Sequence, residues 1–337
     1  MSSQQAKRRK KRRVFYLKRA IVLGAIVLLL SVITVFLLSC FGREPEPSIN
    51  QNGQVTSTTD SGVKESDAGT SAPFFDPSLP DGWQRITMPE SALSEGTLVL
   101  VNQENNFDAS IPKTVSVYEH KNRSYLVKDI YLSVTPETIK ALNDWMEAFA
   151  AETGITDVNI VSGWRSFADQ TAIYDNAVAS KGQAHADAYI ALPGHSEHHT
   201  GLAVDLDTYN VENGTSGGFD GDGEYAWAVQ HAWEYGFIQR YPPSKSGITG
   251  IDYESWHFRY VGLPHAYIIQ AENLCLEEYI DYLRNYSFSG EHLTVTCLGT
   301  SYELYYCPKG QMIVPTSGSY TISGNNVDGF IITIRKP

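Results

Sequence analysis

The stretch that most restricts what this chain can fold into is Gly194-His195-Ser196-Glu197-His198-His199-Thr200-Gly201-Leu202-Ala203-Val204-Asp205. Three of the nine histidines fall within residues 195–199, and an aspartate follows in an apolar run. A second stretch answers it later in the chain, Glu254-Ser255-Trp256-His257-Phe258-Arg259-Tyr260. Together they offer two imidazoles and a carboxylate as ligands, with a spare carboxylate close by. That is the donor set of a catalytic zinc site, with three protein ligands and a fourth position open. A fold that uses it must bring two distant segments side by side.

The local pattern suggests how. Gly201 and the β-type residues after it argue against a helix, and in a strand residues 201, 203 and 205 share one face. Asp205 then points from a strand while His198 reaches in from the preceding loop, and Gly201 and Ala203 leave the face open for metal and substrate. His257 lies on a second strand, with Arg259 on its face and Trp256, Phe258 and Tyr260 on the other. Imidazole plus carboxylate with no thiolate nearby suits Zn2+. Glu254, three residues before His257, is placed to take a proton from a zinc-activated water and pass it to a leaving amine. Arg165 follows a strand-like Val158–Val161 and the turn Ser162-Gly163-Trp164; its guanidinium could hold a carboxylate or steady an oxyanion. Gln170 reaches the same cleft from the first turn of a following helix. His195 and His199 flank the ligand as loop residues. His120, His185, His231, His265 and His292 read as ordinary core, helix or surface residues.

The N-terminus sets the topology. Nine Lys/Arg lie between Lys7 and Arg19, and no acidic residue precedes residue 41. Ala20 to Cys40 is a run of 21 uncharged residues, long enough to cross a bilayer as a helix. The basic block should stay in the cytoplasm, which puts everything after residue 40 outside. A cleaved signal peptide is the rival, and Leu37-Leu38-Ser39-Cys40 resembles a lipoprotein box that would make Cys40 a lipidated first residue. Either way the protein is exported and tethered to the cell membrane. Beyond the tail, 17 basic residues face 38 acidic ones, a net charge of −21, which argues against nucleic acid as a partner.

The rest divides by composition into a basic cytoplasmic tail (1–19), a membrane helix (20–40), a disordered linker (41–82), a catalytic domain (83–286) and a small β appendage (287–337). Thr97–Val101 reads as a short strand. Thr135, Pro136 and Gly154 cap and end a helix whose Ile139, Leu142, Trp145, Met146 and Phe149 form one buried stripe. Residues 214–223 are a Gly/Asp-rich loop without EF-hand spacing. Cys275, Cys297 and Cys307 allow one disulfide, with Cys297–Cys307 the nearer pair in sequence.

Ser196-x-His198-x-x-Gly201-x-Ala203-x-Asp205 followed by Glu254-x-Trp256-His257 resembles the paired signature of the VanY-type zinc D-alanyl-D-alanine carboxypeptidases. Ser162-Gly163-Trp164-Arg165-Ser166 with Gln170 is similar to that family's upstream motif. Tyr235-Gly236-Phe237-Ile238 with Arg240-Tyr241-Pro242 is similar to its intervening one. The likeness covers about residues 95 to 270; Trp164 stands where the family often carries Tyr. It implies an α+β fold with a central antiparallel sheet and flanking helices, shared with hedgehog-type zinc domains. It implies His198, Asp205 and His257 as zinc ligands, Glu254 as base, Arg165 at substrate and transition state, and Gln170 and Ser196 at substrate. The implied reaction is removal of the terminal D-alanine from peptidoglycan stem peptides. An L,D-carboxypeptidase, an endopeptidase of the same fold or a non-catalytic cell-wall binding module are the alternatives.

Overall fold

The computed structural model describes residues 78–310 and 312–337. The basic tail, the Ala20–Cys40 run with the lipoprotein-box reading of Cys40, and the linker up to residue 77 lie outside the described residues. Among the described residues no helix is long and apolar enough to cross a membrane. All of them belong to one compact unit, Ser71–Pro337.

The central sheet has five strands in the order β1 (Leu126–Val127), β2 (Val158–Ser162), β3 (Ala203–Asn210), β5 (His257–Tyr260) and β4 (Phe237–Gln239), and Thr215–Ser216 pairs with the end of β3. It is antiparallel except at one edge, where β1 runs parallel to β2. The expected central antiparallel sheet thus carries one parallel edge. The link from β1 to β2 contains a long helix, α1 (Pro136–Thr153), and such a crossover is what lets neighbouring strands run parallel.

Helix α1 forms where its ends ask for it. The Thr135 side chain accepts from the Thr138 N–H, Pro136 occupies the first turn, and Gly154 closes the last turn at φ 75°. Its apolar stripe packs on one face of the sheet. Trp145 is fully buried against Phe237 and Phe258, and its indole N–H donates to the Ala228 carbonyl at 3.0 Å. The other face carries the site, covered by α2 (Phe167–Lys181) and α3 (Gln183–Tyr189).

The last fifty residues form a four-stranded antiparallel sheet, in the order β6 (Leu293–Cys297), β7 (Thr300–Pro308), β9 (Gly329–Arg335) and β8 (Ser319–Gly324). It is not peripheral. Leu304, Tyr306 and Ile331 pack on α4 (His265–Ala271) and α5 (Leu276–Leu283). Tyr305, Phe330 and Ile332 pack on Trp83, Ile86 and Met88 from the start of the described chain, where Trp83–Arg85 pairs with Ile313–Pro315. Residue 287 therefore marks a change of secondary structure within one compact body.

Three local expectations change. Thr97–Val101 is not a strand, although Leu98 to Val101 are buried. Its backbone is satisfied without a ladder: Leu98 N–H donates to Ser323 Oγ, and the Thr97 and Val99 carbonyls accept from the Arg259 guanidinium. Trp256 sits in a turn before β5 and is 37% exposed, so it does not share the buried face of Phe258. The three cysteines are free and buried. Cys297 pairs in register with Thr300 across a hairpin, which leaves Cys307 seven residues along the strand, roughly 23 Å away at about 3.3 Å per residue. A disulfide needs Cα atoms within about 7 Å.

Removal of residues 287–337 should therefore uncover Leu276, Tyr279, Ile280 and Leu283 and yield insoluble or unfolded protein. Soluble expression and urea unfolding of the two lengths check this; equal stability would show the C-terminal sheet to be dispensable.

Candidate active site

The ligand set is built by register. Asp205 on β3 stands directly across from His257 on β5, and Ser162 on β2 stands across from Asp205 on the other side. Three strands thus present one row of polar side chains on the same face. His198 arrives from the turn before β3. Glu197–Thr200 forms a single 3-10 turn ended by Gly201 at φ 69°. Thr200 Oγ1 donates to the Glu197 carbonyl and accepts from Leu202 N–H, which tightens that turn. Gly201 does not open space for a metal, as its strand placement suggested. A Cβ there would lie 3.1 Å from Thr135 Cγ2, and its carbonyl accepts from Thr135 N–H. Its job is to seat the turn against the N-terminus of α1. Ala203 does lie in the strand, opposite Arg259, and is fully buried.

His198, Asp205 and His257 bring one ligand atom each within 4.8 Å of one another. His198 Nε2 lies 3.2 Å from Asp205 Oδ2, and His257 Nδ1 lies 2.8 Å from Asp205 Oδ1. The remaining ring nitrogens fix the tautomers. His198 Nδ1 faces the Gly163 carbonyl at 2.7 Å, so it carries the proton and leaves Nε2 bare for an ion. His257 Nε2 faces Glu197 Oε2 at 3.5 Å, which leaves Nδ1 for the ion. Among the described residues this is the one group of His, Cys, Asp and Glu side chains placed to share a metal.

The electrostatics suit a cation. Burial alone would raise the Asp205 carboxyl, but His198 and His257 hold it well below the ordinary carboxylate range. Burial alone would lower His257, but its bond to Asp205 and the Glu197 carboxylate facing it lift it to about 9. Glu254 lies in the turn leading into β5, with Oε2 3.9 Å from His257 Nδ1. Burial, opposed by His257, raises its carboxyl to about 7. A carboxylate with that affinity for a proton, close to but not bonded into the ligand set, is equipped for proton transfer near neutral pH.

Arg165 reaches the same cleft. Its backbone N–H donates to the His198 carbonyl, which ties the arginine turn to the ligand turn. Its guanidinium donates to Gln170 Oε1 at 2.7 Å and Ser162 Oγ at 2.8 Å, and stands 3.8 Å from Asp205 Oδ2. Gln170 is buried, and its amide donates to the Ala191 carbonyl at 2.6 Å. It thus holds Arg165 to the cleft wall. Ser196, also buried, lines the cleft beside the ligands. The cleft has a volume of about 380 Å³ and an apolar wall that includes Ile173, Ile190 and Ile251. His195 and His199 pin the loop: His195 Nδ1 pairs with the Asn102 carbonyl, and His199 bonds the Arg165 carbonyl and the Gly194 N–H.

Buried charges that no local motif marks lie behind His198, Asp205 and His257. Glu197, Arg240 and Arg259 are each at most 1% exposed. Glu197 Oε1 accepts from Arg240 Nε at 2.8 Å and Arg259 Nη1 at 2.7 Å, and Arg240 continues to Glu277 on α5. One signal was available. Arg259 shares a strand face with His257, and a guanidinium beside metal ligands requires an acidic partner.

A family model described as "VanY: D-alanyl-D-alanine carboxypeptidase" matches residues 132–263. The chain is 34% identical over 261 residues to a D-alanyl-D-alanine carboxypeptidase of Enterococcus faecium, across 74% of this chain and 79% of that protein. It is 40% identical over 158 residues to the bifunctional D-Ala-D-Ala dipeptidase and carboxypeptidase VanXYC of Enterococcus gallinarum, across 46% of this chain and 80% of that one. The crystal structure of the vancomycin resistance D,D-dipeptidase VanXYg with a D-Ala-D-Ala phosphinate analogue superposes with a TM-score of 0.67 at 32% identity. That match covers 75% of this chain and 99% of the other. These matches, over the segments that bring His198, Asp205 and His257 to one cleft, show that the chain belongs to the VanY family of D-alanyl-D-alanine carboxypeptidases.

Proposed function

We propose that this protein is a zinc-dependent carboxypeptidase that removes the terminal D-alanine from peptidoglycan stem peptides outside the membrane. The observation that carries the reading is the meeting of His198, Asp205 and His257 around one point, with Glu254 beside it and Arg165 across the cleft. Two imidazoles and one carboxylate leave a tetrahedral ion an open position, which a structural site would close. No thiol belongs to the set, which favours zinc over softer metals.

Zinc bound there would supply Lewis acidity, making a water acidic near pH 7 and polarising the scissile carbonyl. The chain's own groups do the rest. Glu254 accepts the proton of the attacking water and returns it to the departing D-alanine amine. Arg165, held on two sides by Gln170 and Ser162, offers a fixed guanidinium to the substrate carboxylate or to the oxyanion of the tetrahedral intermediate. Ser196 supplies a hydroxyl on the substrate side. His198 and His257, with their second nitrogens engaged, keep their rings fixed as ligands.

Topology supports the same reading. The Ala20–Cys40 run, or a lipid on Cys40, would tether the protein on the outer side of the membrane, where such peptides are found. The segment 41–82 would give the catalytic body reach.

Two outcomes test the mechanism. Glu254→Gln should keep one zinc per chain, measured by atomic absorption, while D-alanine release from a defined pentapeptide falls by at least about a hundredfold, the usual scale of general acid–base assistance. Activity that survives this change would assign the base elsewhere. The second outcome is a pH limb. Glu254 acts as a base only when ionised, so kcat/KM should fall as pH drops through its pKa. Burial raises that pKa to about 7, and a bound cation would draw it lower. The acid limb should therefore lie at or below pH 7, and a rate that rises as pH falls would contradict the assignment.

A further inference from the structure

We infer that Glu197 is a positioning residue for His257, held by Arg240 and Arg259 so that only an oxygen lone pair can face the imidazole; this rests on the zinc reading above. Glu197 is buried in the ligand turn, one residue before His198. Its two oxygens have separate tasks. Oε1 is taken by two guanidinium donors, at 2.8 Å from Arg240 and 2.7 Å from Arg259. Oε2 makes no hydrogen bond in this structure, and neither does His257 Nε2. These two buried atoms face each other at 3.5 Å. Each is the other's natural partner, since no other group reaches either atom.

The pairing has a direction. A carboxylate oxygen only accepts, so His257 Nε2 carries the proton that faces Glu197, and Nδ1, which bonds Asp205 Oδ1 at 2.8 Å in this structure, would give its lone pair to an ion taking the place of that shared proton. The arginines make the arrangement one-way. Guanidinium groups only donate, so they require an acceptor at the Oε1 position. In Glu197→Gln, an almost isosteric change, they would claim the amide oxygen and leave the NH2 group aimed at His257 Nε2. Two donors would then confront each other. His257 would have to move its proton to Nδ1 or turn its ring, and either change removes the lone pair from the ion. Outside ligands of this kind typically govern metal affinity by about tenfold to hundredfold.

The experiment compares zinc affinity, by chelator competition, in the full chain and in Glu197→Gln and Glu277→Gln. Glu277 bonds Arg240 but does not touch His257. Glu197→Gln should weaken zinc binding about tenfold to hundredfold, while Glu277→Gln stays near the wild-type value. If Glu197→Gln binds zinc as tightly as the wild type, or if Glu277→Gln loses as much, the carboxylate is scaffolding and the inference falls. Should Glu197→Gln fail to fold, 15N-histidine NMR of the zinc-loaded wild type decides alone. A proton on His257 Nε2, protected from solvent exchange, is the expected signature; a freely exchanging Nε2 proton or a bare Nε2 overturns the proposal. A wild type that binds no zinc would sink the zinc reading itself, a separate result.

Discussion

Asp205 and His257 face each other across one antiparallel ladder, and the site exists because that register holds. Side chains alternate along a strand, so a slip of one residue would turn His257 into the apolar core and bring Phe258 or Trp256 to the ligand position. The core prevents the slip. Phe258 is fully buried against Trp145 and Phe219, and Phe237 on the neighbouring strand stacks on the same indole. Packing on one face of the sheet therefore sets the chemistry on the other.

The charges behind the ligands extend this coupling through the molecule. Burial would raise the Glu197 carboxyl, but Arg240 and Arg259 hold it well below the ordinary range, so it stays ionised. Arg259 also bonds the carbonyls of Thr97 and Val99, in a segment pinned to the C-terminal sheet through Ser323 and Asn325. Arg240 reaches Glu277 on α5, the helix whose apolar face rests on that same sheet. Buried ion pairs give up hydration, and removing one member of such a pair costs about 3–5 kcal/mol because the other is left unpaired. The fifty C-terminal residues thus share in the shape of a site to which they contribute no ligand.

Much of the site was legible because its chemistry sits in two short, dense segments. His198, Asp205, His257, Glu254, Arg165 and Gln170 all come to one cleft, and α1 begins and ends at its Thr135 and Gly154 caps. What escaped notice depended on tertiary partners. Thr97–Val101 has a strand's composition, but Arg259 and the C-terminal turn satisfy its backbone, a fact no local pattern encodes. Gly201 has the spacing of an open strand position at a metal, but it makes a left-handed turn against Thr135. Nothing in the local sequence marks Glu197 as buried. Its burial between two arginines follows from segments that lie forty and sixty residues away. The parallel edge strand β1 is two residues long, too short for its pairing to be read from pattern.

The most direct test is anomalous diffraction at the zinc edge from crystals of zinc-loaded protein. The account predicts one peak bounded by His198 Nε2, Asp205 and His257 Nδ1, at roughly 2.0–2.2 Å from each. Loss of that peak at full zinc loading, or a peak ligated elsewhere on the chain, would contradict it.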